Sequence, residues 1–109
     1  MRFLAVSKPT GQVDEQAPDD DMEAEIANGR RLYEAGFLVQ GYMDPDYTTA
    51  YFLVEAPSAE EAREQLATYP QVQSGRSTYD VTPLIGLPAI EQSAAAAGTA
   101  LPDWWPSLA

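Results

Sequence analysis

The stretch Tyr47–Leu66 constrains the fold most strongly, because a clear strand pattern is followed within it by a clear helix start. Its first part is rich in aromatic and β-branched side chains and contains no Gly or Pro, which is typical of a pleated strand. Ser58 and Glu61 then form an S-x-x-E capping box, which satisfies backbone N–H groups at a helix N-terminus. The stretch therefore predicts a central strand over residues 47–54 and a helix that begins at Ala59.

The rest of the chain predicts three further strands and one further helix. Short apolar or alternating runs between turn residues indicate the strands, and an aspartate followed by an apolar period near four residues indicates the helix. The strands are predicted over residues 2–7, 37–43 and 76–84, the first helix from the aspartate run 19–21 to Tyr33 or Glu34, and the end of the second helix at Pro70.

Both helices carry an apolar stripe that is expected to face the sheet. Gly29 interrupts the first stripe and lowers helix propensity by roughly 1 kcal/mol relative to Ala, so it is expected to mark a close approach to the sheet. The stripes consist of Met22, Ile26, Gly29 and Tyr33 in the first helix, and of Ala59, Ala62, Leu66 and Tyr69 in the second.

The order β-α-β-β-α-β predicts an α+β fold of the ferredoxin-like type. In that motif a four-stranded antiparallel sheet carries two helices on one face and leaves the other face open. We expect this domain to occupy residues 1–89. Residues 90–109 are interpreted as a helix and tail extension that docks on the domain or across a dimer, with Trp104 and Trp105 in the docking segment.

The composition excludes several kinds of chemistry. The 109 residues include no cysteine and no histidine, so disulfides, thiolate metal sites and catalytic triads built on either residue are excluded. Asp44, Asp46 and the aspartate run 19–21 are interpreted as a turn and a helix start, because no further spaced ligands accompany them. We therefore expect neither a metal ion nor another cofactor.

The charge limits the possible partners. Seventeen acidic residues against six basic ones give a net charge of -11, which repels nucleic acid phosphates and anionic membrane surfaces. No run approaches the ~20 apolar residues of a membrane-spanning helix, and the N-terminal apolar run is too short for a signal peptide. The sequence thus predicts a cytoplasmic protein that binds neither nucleic acid nor membranes.

Both faces of the predicted sheet are apolar. In the first strand Leu4 and Val6 are as apolar as Phe3 and Ala5, which point to the opposite face. Two helices can cover one face only, so a second copy of the chain is expected to cover the other, in a homodimer or higher homo-oligomer. Two sheets packed face to face can enclose a pocket for a small molecule.

Three segments, MRFLAVSKP, FLVEAPSAEEAREQL and YDVTPLIGLPA, resemble the muconolactone isomerase-like branch of the dimeric α+β barrel proteins. The resemblance covers residues 1–90 in outline. It implies a homodimer or higher oligomer, a pocket on the open sheet face, and proton transfer on a small lactone or cyclic acid without metal or organic cofactor. Asp80 corresponds to an acidic residue on the last strand of that family, whereas Leu4 and Val6 replace polar, titratable residues.

Asp80 is the candidate catalytic residue. A carboxylate in an apolar pocket can carry a proton between two atoms of a substrate, as isomerisation or dehydrative cyclisation requires. The alternative is a solvent-facing carboxylate that prevents pairing at a sheet edge. Lys8, the only lysine, could bind a carboxylate or stabilise an enolate at the mouth of the pocket, or could be a surface charge.

The other candidates are expected to position the substrate. Arg76 could hold an acidic group through two hydrogen bonds. Tyrosines on the predicted strands could line the pocket and donate one hydrogen bond each, or could simply pack as amphipathic side chains. Tyr51 is preferred because it lies on the central strand, and Tyr42, Leu4 and Val6 complete the predicted substrate-binding set.

Three functions fit these observations. The first is a cofactor-free isomerase or cyclase that moves a proton on a small, hydrophobic, oxygenated substrate such as a lactone or a polyketide-like molecule. The second is a cofactor-independent monooxygenase of a polyphenol that activates oxygen itself. The third is a non-catalytic protein, either a small-molecule carrier or an accessory subunit of a biosynthetic complex.

Overall fold

A computed structural model of the chain describes residues 1–10, 21–103 and 105. The predicted succession of strand, helix, two strands, helix and strand is confirmed, with two additional helices. The predicted aspartate cap of the first helix and the docking role of Trp104 concern side chains outside this description. In chain order the elements are β1 (Arg2–Pro9), α1 (Asp21–Glu34), β2 (Leu38–Met43), β3 (Ala50–Glu55), α2 (Ala59–Leu66), α3 (Pro70–Gln73), β4 (Ser77–Leu84) and α4 (Pro88–Ala97).

The four strands form one sheet in the order β2-β3-β1-β4. Each neighbouring pair is antiparallel, so β1 runs parallel to β2 with β3 between them, and β3 runs parallel to β4 with β1 between them. The helical connections therefore cross over an intervening strand. The predicted α+β class and four-stranded antiparallel sheet are confirmed, and the arrangement is compatible with a ferredoxin-like fold.

The outer strand β2 departs from regular pairing, and the outer strand β4 contains a proline. The pairing of β2 with β3 changes register between Leu38 and Gln40. Pro83 lies within β4, where it is the partner of Phe3 in β1. Proline has no N–H to donate and is therefore found on edge strands, so the position of β4 at the sheet edge agrees with the expectation for Pro83.

The core lies on one face of the sheet. Phe3, Ala5 and Val54 are almost fully buried, and their neighbours along the strands alternate to the opposite face. Leu32 from α1 and Leu66 from α2 are buried in the same cluster. Both helices therefore cover the same face of the sheet, as predicted from the sequence.

The predicted start of α2 is confirmed. Ser58 has an extended backbone, and its hydroxyl accepts a hydrogen bond from the N–H of Glu61 at 3.1 Å. Such a cap stabilises a helix by about 1 kcal/mol relative to Ala. The prediction that this helix ends at Pro70 was wrong: α2 ends at Leu66, and Pro70 begins α3, where a first-turn position needs no N–H donor.

The central strand begins later than predicted, at Ala50 instead of Tyr47. The carboxylate of Asp44 accepts hydrogen bonds from the N–H groups of Thr48 and Thr49, which bends the chain into a longer turn. Tyr47 has a φ of 59°, in the left-handed region that strands do not use. Local hydrogen bonding by an aspartate thus overrides the strand propensity of three residues.

The buried side of α1 differs from the predicted stripe. Leu32, which flanks the stripe, is 1% exposed, whereas Met22 and Ile26 are 56% and 64% exposed. The reason is that Met22 and Ile26 line a half-open cavity instead of the packed core. Gly29 does mark a close approach, but to Tyr69: a Cβ atom at Gly29 would lie 3.3 Å from the Tyr69 hydroxyl.

The C-terminal helix α4 packs only sparsely against the sheet and its covering helices. The protein measures 58 × 26 × 23 Å, and its radius of gyration of 16.5 Å exceeds the about 13 Å of a compact chain of this length. The indole N–H of Trp105 donates to the Glu91 carboxylate at 2.6 Å, so the following segment folds back on α4. Among the described residues, no helix has both the length and the apolar character needed to cross a membrane.

Candidate functional site

A row of side chains crosses all four strands on the face opposite the helices, called the open face below. Tyr42 of β2 is the partner of Tyr51 of β3, Tyr51 is the partner of Val6 of β1, and Val6 is the partner of Asp80 of β4. With neighbouring strands about 4.8 Å apart, the row spans roughly 14 Å. Four residues predicted from the sequence as site candidates are therefore adjacent.

A second row beside the first is mostly apolar. Leu53 of β3 and Leu4 of β1 are partners, and Leu4 is also the partner of Thr82 of β4. Leu4 and Leu53 are only partly buried, because α1 and α2 both pack on the other face. Within the described part of a single protomer, the open face thus remains without a covering helix.

Lys8 and Asp80 form an ion pair on this face. The distance from Lys8 Nζ to Asp80 Oδ1 is 3.1 Å, and the two side chains are 55% and 63% exposed. In one protomer such a pair is in contact with solvent and contributes at most about 1 kcal/mol to stability. The pair is of chemical interest because the Asp80 carboxylate, a proton acceptor, lies beside the Lys8 ammonium and next to apolar side chains such as Val6.

Two further tyrosines and Arg76 lie apart from this group. Arg76 precedes β4, where its backbone pairs with Thr10 and Gln71, four residues along the chain from Asp80. Tyr47 lies in the turn before β3 and is exposed. Tyr79 points to the face opposite Asp80, as the alternation along the strand predicted, and packs against the core cluster.

A cavity of about 350 Å³ lies between α1 and the helix-covered face of the sheet, and is called the α1 cavity. Three aromatic rings form an apolar cluster along it: the Phe52 ring centroid is 5.8 Å from that of Tyr69 and 5.7 Å from that of Tyr79. The two tyrosine rings are 6.0 Å apart. Met22, Glu25, Ile26 and Gly29 of α1, together with Tyr47, Thr48 and Ser77, also line the cavity.

The two phenols of the α1 cavity are held in their neutral form. Burial raises the pKa of Tyr69 to about 12, and the nearby Glu25 carboxylate adds to the effect. Burial, Tyr69 and Glu25 raise the pKa of Tyr79 as well. Both residues line the cavity, and neither hydroxyl has a hydrogen-bond partner among the residues described. The cavity therefore contains hydrogen-bond donors that are available to a guest.

Sequence reasoning missed this cavity because its walls come from four separate segments. Tyr69 was assigned to a helix stripe and Tyr79 to a strand face, and nothing in their spacing indicates that the two rings meet. The one visible signal was Gly29, which was expected to mark a close approach. The residue that approaches Gly29 proved to be Tyr69, and not a residue of the sheet.

Among the residues that the structure describes, the other acidic side chains do not form a metal site. In the described ranges, no group of three or more His, Cys, Asp or Glu side chains could hold a metal ion. A wider surface groove of about 440 Å³ is lined by Glu55, Glu61 and Glu64 with Arg31. Glu55 is already paired there with the guanidinium of Arg2 at 2.8 Å.

No protein-family model and no curated protein sequence matches the chain. Sequence similarity therefore assigns neither a family nor an activity to it. Function is therefore inferred from the arrangement of side chains on the open face and in the α1 cavity.

Proposed function

We propose that the protein is a cofactor-free isomerase or cyclase that moves a proton on a small, hydrophobic, oxygenated substrate bound at the open face. The observation that carries this proposal is the Lys8–Asp80 ion pair beside the row of Val6 and Tyr51. A lactone or polyketide-like molecule offers apolar carbon to such a surface and a carbonyl oxygen to the cation.

The proposed chemistry uses both charges of the pair. The Asp80 carboxylate removes a proton from the carbon next to the substrate carbonyl, and the electrons of the broken C–H bond form a carbon–carbon double bond. The carbonyl oxygen becomes an enolate, whose negative charge the Lys8 ammonium stabilises. Protonated Asp80 then returns the proton to another carbon of the conjugated system, which completes the isomerisation.

The proposal requires a cover over the open face, and a second copy of the chain is the simplest one. Leu4, Leu53 and Val6 form apolar surface that one protomer leaves in contact with water. A two-fold dimer with a shared pocket, the dimeric α+β barrel of ferredoxin-like protomers, would bury these side chains. Excluding water would also strengthen the action of Lys8 and Asp80 on a substrate, because charges interact more strongly at low dielectric.

Exchange of substrate hydrogen with heavy water tests this proposal. Small lactones and polyketide-like dicarbonyl compounds are incubated with the protein in heavy water, and deuterium at the carbon next to the carbonyl is followed by NMR. We expect Asp80→Asn to slow the exchange by at least about 100-fold, the usual contribution of a general base. Asp46→Asn, which alters an exposed turn aspartate, is the matched control and should leave the rate unchanged.

Two outcomes would contradict the proposal. Full exchange by the Asp80→Asn variant would exclude Asp80 as the base. Binding of these compounds with neither exchange nor isomerisation would favour a carrier or accessory subunit, and oxygen uptake with a polyphenol would favour a cofactor-independent monooxygenase.

A further inference from the structure

The α1 cavity is separate from the proposed site, because the sheet lies between them. Phe52 and Tyr79 line it from the helix-covered face, whereas Tyr51 and Asp80, their chain neighbours, project from the open face. Its volume of about 350 Å³ is near the lower end of the range for small-molecule sites. A guest of two or three fused rings matches that size.

Charge in the lining disfavours an anionic guest. Glu25 lines the α1 cavity, and the described lining includes no lysine or arginine. The Glu25 carboxylate is held in place by the N–H of Gln71, which donates to it at 2.6 Å. An anionic guest would therefore lose its hydration and face a carboxylate of the same sign.

The aromatic cluster and its hydroxyls favour a guest that is planar and has a hydrogen-bond acceptor. The rings of Phe52, Tyr69 and Tyr79 present flat apolar surface, on which a planar aromatic molecule stacks favourably. Tyr69 is only 4% exposed, and its hydroxyl, which lies under Gly29, has no partner among the residues described. A carbonyl oxygen on the guest would accept the hydrogen bond that this donor lacks.

From these observations we infer that the α1 cavity is a second small-molecule site, which binds a neutral, planar aromatic compound bearing a carbonyl oxygen. The guest stacks along Phe52 and Tyr79, and its oxygen accepts from the Tyr69 hydroxyl. This inference is independent of the function proposed for the open face.

Titration calorimetry with two probes of similar size tests the charge preference. Acetylnaphthalene is a neutral aromatic ketone, and naphthoate is its anionic counterpart. We expect the ketone to bind at least about ten-fold more tightly, because Glu25 opposes the anion. Equal binding of the two probes, or no binding of the ketone, would overturn the inference.

Variants then locate the bound ketone. Tyr69→Phe keeps the ring and removes the hydroxyl, so it should weaken ketone binding about 2–10-fold, the usual effect of one hydrogen bond. Tyr33→Phe is the matched control, because Tyr33 lies on α1 outside the cavity lining and is 64% exposed, and it should have no effect. An unchanged affinity in Tyr69→Phe would contradict the proposed contact.

NMR and one open-face variant separate this site from the proposed one. Addition of the ketone should shift the amide signals of Gly29 and Ile26 and leave that of Leu53 in place. Asp80→Asn should leave the affinity for the ketone unchanged, even if it abolishes hydrogen exchange. Loss of ketone binding in Asp80→Asn would place the ketone on the open face and refute the inference.

Discussion

Single residues in this protein owe their chemistry to their neighbours in space. Tyr69 and Tyr79 are ordinary phenols in the sequence, yet burial against each other and near Glu25 raises the pKa of both. Asp80 and Lys8 become a pair only because β4 and β1 are adjacent in the sheet. The sequence thus determines which chemical groups are present, and the tertiary structure determines their pKa values and ion-pair partners.

The Tyr69 hydroxyl should make stability depend on alkaline pH. Its pKa is about 12 in the folded chain and 10.0 in an exposed tyrosine, so the unfolded chain releases this proton first. The free energy of unfolding should therefore be fully retained below pH 10 and fall by roughly 1–3 kcal/mol as the pH rises towards 12. Urea unfolding across this range measures the effect.

Two tyrosine variants check that assignment. Tyr69→Phe should lose less stability than the parent chain over the same pH range, while Tyr33→Phe should follow the parent chain. Identical pH dependence in all three proteins would show that Tyr69 ionises as a solvent-exposed phenol does.

Alternation along the strands predicted which residues share a face, but not which residues meet across the fold. Lys8, Tyr51 and Asp80 lie on the open face as their positions indicated. The side-chain period of a strand is two, so a correct strand assignment fixes the face. The contact of Tyr69 with Gly29 could not be predicted in this way, because no local pattern links α1 with the end of α2.

Helices and strands here begin where side chains bond to the backbone. The cap from Ser58 predicted the start of α2 to the residue, since it depends on local hydrogen bonding alone. The start of β3 was missed by three residues, because Asp44 binds the N–H groups of Thr48 and Thr49. Strand propensity depends only on side-chain types, so it does not predict a hydrogen bond from an aspartate side chain to the backbone that competes with strand pairing.

Gly29 and Tyr69 should be energetically coupled through the contact between α1 and the segment after α2. Ala has a better helix propensity than Gly by roughly 1 kcal/mol, but a Cβ atom at position 29 would lie 3.3 Å from the Tyr69 hydroxyl. Gly29→Ala alone should therefore stabilise the chain by less than this amount. In a Tyr69→Phe background, Gly29→Ala should give the full gain of roughly 1 kcal/mol.

A double-mutant cycle measured by urea unfolding tests this coupling. Gly36→Ala is unsuitable as a reference, because Gly36 has a φ of 82°. Glu34→Ala, at an exposed helical position, is a suitable reference instead. It should change the free energy of unfolding by the same amount with Tyr or Phe at position 69. Equal effects of Gly29→Ala in both backgrounds would argue against a steric contact at the hydroxyl.

Two features of the protein as a whole favour association of copies. The open face exposes apolar side chains, and α4 packs only sparsely against the sheet and its covering helices. Ile85, Leu87 and Ile90, at and before the start of α4, are 63%, 63% and 47% exposed. The apolar residues on both faces of the predicted strands indicated the apolar open face, whereas no sequence pattern in the short connection before α4 predicted how that helix would pack.

Leu53→Lys should convert the proposed dimer into a monomer. Leu53 lies within the open face on β3, and a lysine there would bury an unpaired charge between two copies. Sedimentation should give a mass near twice 11.9 kDa for the parent chain and near 11.9 kDa for the variant. Tyr33→Lys, on an exposed position of α1, should remain dimeric, and a monomeric parent chain would refute the cover over the open face.

The proline in β4 and the register change in β2 have a consequence for how the protein behaves at high concentration. Pro83 has no N–H to donate at the sheet edge formed by β4. The register change between Leu38 and Gln40 makes the sheet edge formed by β2 irregular. Fibrils grow by pairing of new strands along exposed sheet edges, and a proline or an irregular register at an edge opposes such pairing. Both features should therefore lower the tendency of copies to pair through their sheet edges at high protein concentration.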